Sequence, residues 1–138
     1  MKDHIVLRVI AKLLIPLILL FGLYVQIHGE YSPGGGFQAG VLFAAGLILY
    51  ALIFGLGAAH EVVSPRVAAV LAAGGALLYG AVGVWGMVAG GNFLEYKVLA
   101  ASAQIGETVG IVLIELGVGI TVAGVVLVFF YSFAGFKK

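Results

Sequence analysis

Four membrane-spanning helices are the fold class this sequence predicts, on three observations. Hydrophobic residues fill 63% of 138 positions and charged residues only 9%, whereas a water-soluble domain carries about a quarter of its residues as charges. The apolar residues fall in four long blocks, each able to cross a hydrocarbon core of about 30 Å at 1.5 Å per residue. Within each block the apolar run is continuous and does not alternate, so the pattern is that of helices and not of a barrel.

Span one is expected at about 5–27, span two at 37–59, span three at 67–89 and span four at 108–131. Together they make residues 1–138 a single four-helix transmembrane domain. Span one carries Arg8 and Lys12 in its first half and Pro16 inside it. A proline removes one backbone hydrogen bond, so a kink is expected there. The basic start followed by an apolar run imitates a signal peptide, but the run is long and lacks a small-x-small cleavage pattern. It therefore reads as a retained helix.

Four spans place both termini on one side. Lys2, Arg8, Lys12, Arg66, Lys137 and Lys138 lie on that side, and Lys97 alone lies on the other. The positive-inside bias makes the shared side cytoplasmic. The net charge is +1 with no basic run, so nucleic acid is not a partner. The chain has no cysteine, which excludes disulfides, cysteine-ligated zinc and iron–sulfur clusters. No nucleophile–base pair, nucleotide motif or metal-ligand spacing stands out, so no enzyme chemistry and no cofactor are expected.

The 22 glycines fall largely inside the spans. Gly36 and Gly40, Gly86 and Gly90, and Gly106 and Gly110 are spaced by four, and Ala72, Ala76 and Gly80 form another row. Small residues at this spacing let helix backbones approach closely in lipid. Rows recurring from span to span exceed what four helices can use among themselves, so neighbouring subunits are expected.

Three charged residues are candidates for an ion or proton path. Glu115 is the one acid well inside a span, where a charge costs about 2.5–3.5 kcal/mol and desolvation favours the neutral, hydrogen-bonding carboxyl. It reads either as a relay or ligand for a translocated ion, or as a protonated group holding helices together. Glu107, eight residues earlier, shares its face at about 12 Å, a spacing suited to a water-filled entry. Lys12 lies about 10 Å into span one and reads either as a snorkelling anchor or as a buried functional lysine.

The segment His28-Gly29-Glu30-Tyr31-Ser32-Pro33-Gly34-Gly35-Gly36-Phe37-Gln38 is the most unusual local sequence. Proline and three glycines separate spans one and two and leave unpaired N–H groups at the start of span two. A tight turn needs fewer glycines, so the extra ones suit close approach of another backbone and a subunit contact. An anion site is the alternative, although no lysine follows as a phosphate loop requires. Phe37 and Gln38 fall at the membrane boundary. The stretch from Gly90 to Gly106, with Phe93, Leu94, Val98 and Leu99, suits a short interfacial helix.

The string HGEYSPGGGFQAG at 28–40, followed by LFAAGLILYALIFG, resembles the hallmark of the MrpB (MnhB) family, and GIVLIELGVGITVAGVVLVFFY at 110–131 resembles that family's last span. The resemblance covers almost the whole chain. It implies an accessory subunit of a multisubunit antiporter that exchanges sodium or another monovalent cation for protons in a bacterial or archaeal (inner) cell membrane. Its partners would be the other subunits and the bilayer. By resemblance Pro33, Gly34, Gly35, Gly36, Phe37 and Gln38 take the signature-turn role, and Glu115, Gly117 and Gly119 the last-helix role. Related subunits serve membrane-bound hydrogenases and other complex I-related machines, which is the first rival reading. A stand-alone homo-oligomeric channel is the second.

Overall fold

The computed structural model describes residues 4–28 and 35–135. All regular structure among them is helical: α1 Ile5–Ile27, α2 Gly36–Phe54, α3 Leu56–Val62, α4 Pro65–Val88 and α5 Ala103–Ala134, with one 3-10 turn at Tyr96–Val98. Four of these helices, α1, α2, α4 and α5, are long and apolar enough to cross a membrane. The protein is multi-pass.

The four long helices lie in the spatial order α1, α2, α5, α4. α5 packs against both α4 and α2, while α1 packs against α2 and barely meets α5. Small residues make each junction. At the antiparallel α1–α2 contact the Phe43 ring lies over Gly22, and Leu19 lies over Gly46. α4 and α5 are also antiparallel, with Ala68 and Ala72 against Gly124 and Gly75 against Gly117 and Thr121. The Thr121 hydroxyl donates to the Ala72 carbonyl at 3.3 Å, a bond that pins the register of this pair. Where α2 crosses α5 the two helices run in the same direction, since Gly36 meets Glu115 and Gly40 meets Gly119.

The core is correspondingly small-grained: Ala44, Ala51, Ala59, Ala68, Leu127 and Tyr131 form its main buried cluster. With little side-chain volume between the helices, van der Waals contact between near-backbone atoms supplies the packing, as lipid-embedded helices require. Large apolar side chains point outward instead, among them Leu20, Leu77, Val88 and Phe133.

The second expected span differs from a single rod. Gly55 has φ +99°, a backbone state open to glycine and rare for other residues, and it separates α2 from the seven-residue α3. Ser64 then caps α4 by accepting from the Val67 N–H at 3.2 Å, with Pro65 at the first helical position, where its missing N–H costs nothing. α1 continues through Pro16 without interruption. α5, at 32 residues, begins at Ala103, earlier than the expected start of span four.

The 89–102 connection is a folded cap and not a surface helix, with the single 3-10 turn as its only regular element. The Phe93 ring sits over Gly83 of α4 and the Tyr96 ring over Gly110 of α5, with the Tyr96 carbonyl against Gly106. The glycines thus receive aromatic rings that any larger residue would exclude. Burial, with Tyr79 adding to it, holds the Tyr96 phenol above its usual pKa. The Asn92 N–H donates to the Glu95 carboxylate at 2.7 Å, closing the loop on itself.

Candidate functional site

The crossing of α2 and α5 brings together two of the polar groups that the sequence singles out, Gln38 and Glu115. α2 starts at Gly36, and its first turn carries the unpaired N–H groups and partial positive charge of every helix N-terminus. One of those N–H groups is satisfied locally: the Gly35 N–H donates to the Gln38 side-chain oxygen at 3.0 Å. Gln38 is therefore a capping residue of its own helix. Phe37, beside it, is 59% exposed and lines an open groove with Phe21 and Val25 of α1.

Glu115 approaches this helix start from α5. A Cβ placed on Gly35 would stand 2.9 Å from Glu115 Oε1, and one placed on Gly36 would overlap the Glu115 main-chain carbonyl. Hydrogen at both Cα positions is what permits the approach. One turn deeper, a Cβ on Gly40 would be 2.6 Å from the Gly119 carbonyl oxygen. The acid of the last helix and the glycines of the turn, nearly eighty residues apart in sequence, thus form one contact. An ionised Glu115 carboxylate complements the positive end of α2, and a protonated one supplies an O–H donor there. Such a group can hold or release a proton where two helices meet.

Gly119 also meets α1. A Cβ on it would lie 2.6 Å from Gln26 Oε1 and 3.2 Å from the Gly36 carbonyl oxygen. Gln26 is the residue that sequence reasoning passed over. Its only signal is one amide in the otherwise apolar second half of span one. Gly117, two residues earlier, turns to the opposite side and contacts Gly75 and Tyr79 of α4. The last-helix pair Gly117 and Gly119 therefore serves two different interfaces.

The remaining candidates lie elsewhere. Glu107 pairs with Lys97 of the 89–102 connection at 3.8 Å, both side chains being well exposed, so it faces the loop. Lys12 is exposed near the other end of α1, far from Glu115. Arg8, one turn before it, places its guanidinium 5.5 Å from the centre of the Phe54 ring. His28 ends α1, stacked on Tyr24 at 4.2 Å with Nδ1 3.1 Å from the Tyr24 carbonyl oxygen. Pro33 and Gly34 lie outside the described residues.

Comparison with known proteins covers both halves of this crossing. The family described as "Domain related to MnhB subunit of Na+/H+ antiporter" matches residues 6–128. A protein of Staphylococcus haemolyticus (strain JCSC1435) named antiporter subunit mnhB2 is 32% identical over 142 residues, spanning 99% of each chain. Its namesake in Staphylococcus aureus (strain Newman) is 34% identical over 138 residues, covering 97% of this chain and 96% of its own. The chain belongs to the MnhB-related family of antiporter subunits.

Proposed function

We propose that this chain is an accessory membrane subunit of a multisubunit monovalent cation/proton antiporter, exchanging Na+ for H+ across the inner cell membrane of a bacterium. The observation that carries the reading is the family match across residues 6–128, which takes in both the glycine-rich turn and the Glu115 helix. Both termini lie in the cytoplasm, on the positive-inside bias of Lys and Arg. The chain supports assembly of the complex, and Glu115 contributes a titratable carboxyl to a hydrated proton or cation route at the α2–α5 crossing. Its position at a helix N-terminus supports that role, because both of its protonation states have a favourable interaction there. The turn around Gly35–Gln38 is a contact for a neighbouring subunit, supported by the exposed Phe37 beside it.

The test is Na+-driven proton movement in everted vesicles. Vesicles lacking only this chain are expected to lose antiport and to regain it on complementation. Glu115→Gln is expected to leave the complex intact on native gels and to depress antiport. Full exchange without the chain would overturn the subunit reading. Full exchange by an assembled Glu115→Gln complex would remove the direct role and leave assembly as the residue's task.

A further inference from the structure

A cavity of about 280 Å³ opens on one face of α2 and α5, rimmed by Leu23 and Gln26 of α1 and by Leu71 of α4. Gln26 is the only polar side chain among its lining residues. Along α5 the lining runs from Leu116 to Leu127, about 16 Å at 1.5 Å per residue. Gln26 is one residue from the end of α1, and Leu116 follows the residue that abuts the first turn of α2, a 19-residue helix just long enough to cross the core. This end therefore lies at the boundary set by α1 and α2, although the longer α5 continues beyond it. A hydrocarbon core of about 30 Å allots about 15 Å to each leaflet. The slot therefore reaches from the boundary to the bilayer midplane.

Its dimensions select the occupant. A transmembrane helix, about 10–12 Å across with its side chains, cannot lie inside this space and would reach it only with single side chains, whereas an alkyl chain runs along its whole length. A single alkyl chain fits. The half-buried Gln26 amide lines the slot and makes no hydrogen bond among the described residues, so its polar groups are available to a ligand. It offers two N–H donors and an acceptor oxygen at the depth where acyl esters meet the headgroup region. We infer that this slot seats one acyl chain of a membrane phospholipid, with its ester group at Gln26 and its methylenes along Ile120, Ala123 and Leu127.

The intact complex, reconstituted in phosphatidylethanolamine–phosphatidylglycerol vesicles, would be irradiated with a trace of phosphatidylethanolamine bearing a mid-chain diazirine, and the adducts mapped by mass spectrometry. Adducts are expected on Ile120, Ala123 or Leu127. Ala123→Trp, which fills the slot, should abolish them without altering adducts elsewhere on the complex. Gln26→Leu preserves the shape of the slot and should lower the yield by about threefold, the loss of one hydrogen bond. Absence of slot adducts in the wild-type complex overturns the inference, as does labelling indifferent to both substitutions. Occupation by another subunit's side chain would give the first of these results. Where Ala123→Trp blocks assembly, wild type against Gln26→Leu decides. The readout is labelling and not antiport, so its outcome is separate from that of the transport reading.

Discussion

Gly36 and Glu115 are in main-chain contact: a single methyl on the glycine would occupy the place of the Glu115 carbonyl oxygen. The start of α2 and the middle of α5 are consequently closer than a β-carbon at Gly36 would allow. Gly36→Val or Gly40→Leu must separate them. Overpacking of this kind costs about 1–3 kcal/mol, so both variants should melt at lower temperature in detergent and incorporate poorly into the complex. Gly74→Ala and Gly80→Ala are the contrasting pair, since no atom lies within 4 Å of a Cβ at either position. They should match or slightly exceed the wild type in stability, because alanine is the better helix former by about 0.5–1 kcal/mol.

At the turn, Gln38→Leu removes the acceptor for the Gly35 N–H and should cost about 1 kcal/mol, the value of a helix cap. Phe37→Ala tests a different surface. Its ring is exposed within this chain, so the substitution should leave insertion and subunit stability intact and reduce association with neighbours on native gels. Gly35→Val, which crowds the Glu115 carboxyl, should likewise weaken association more than insertion.

Tyr131 ties the end of α5 to the connection before α4, its hydroxyl donating to the Val63 carbonyl at 2.7 Å. Its ring also meets His60 edge-on at 4.7 Å. Tyr131→Phe retains the ring and loses the bond, so a loss of about 0.5–1.5 kcal/mol is expected. Hydrogen exchange at the Val63 and Ser64 amides should rise in the variant. Unchanged exchange would show that the ring packing alone holds this connection.

The chain contains no cysteine, which makes its topology directly measurable. With cytoplasmic termini, Asn92→Cys should react with a membrane-impermeant maleimide added to intact cells. Ser64→Cys should react only after the membrane is opened. The reverse pattern would invert the orientation.

The four long apolar helices were legible because hydrocarbon imposes a length and a composition that few other folds share. The break at Gly55 was not, since one glycine in an apolar run reads equally well as a packing site, and only its backbone angle separates the two. Glu115 and the glycine turn each stood out locally. Their meeting did not, because nothing in either segment names its partner across nearly eighty residues. Helical spacing puts Glu107 on the Glu115 face, but its pairing with Lys97 of the 89–102 connection is tertiary and has no signal in the spacing. Gln26 was overlooked because a lone amide near a span end resembles an ordinary boundary residue. Its meaning arises only where three helices converge on Gly119.

The spatial order α1, α2, α5, α4 has a consequence for how the molecule is put together. It consists of two hairpins, α1 with α2 and α4 with α5, each made of sequence neighbours and each able to form as it leaves the ribosome. They are joined chiefly along the parallel glycine seam of α2 and α5. A gene split near Ser64 should therefore yield two halves that find each other in the membrane, and the seam that carries Glu115 would be the last part of the subunit to close.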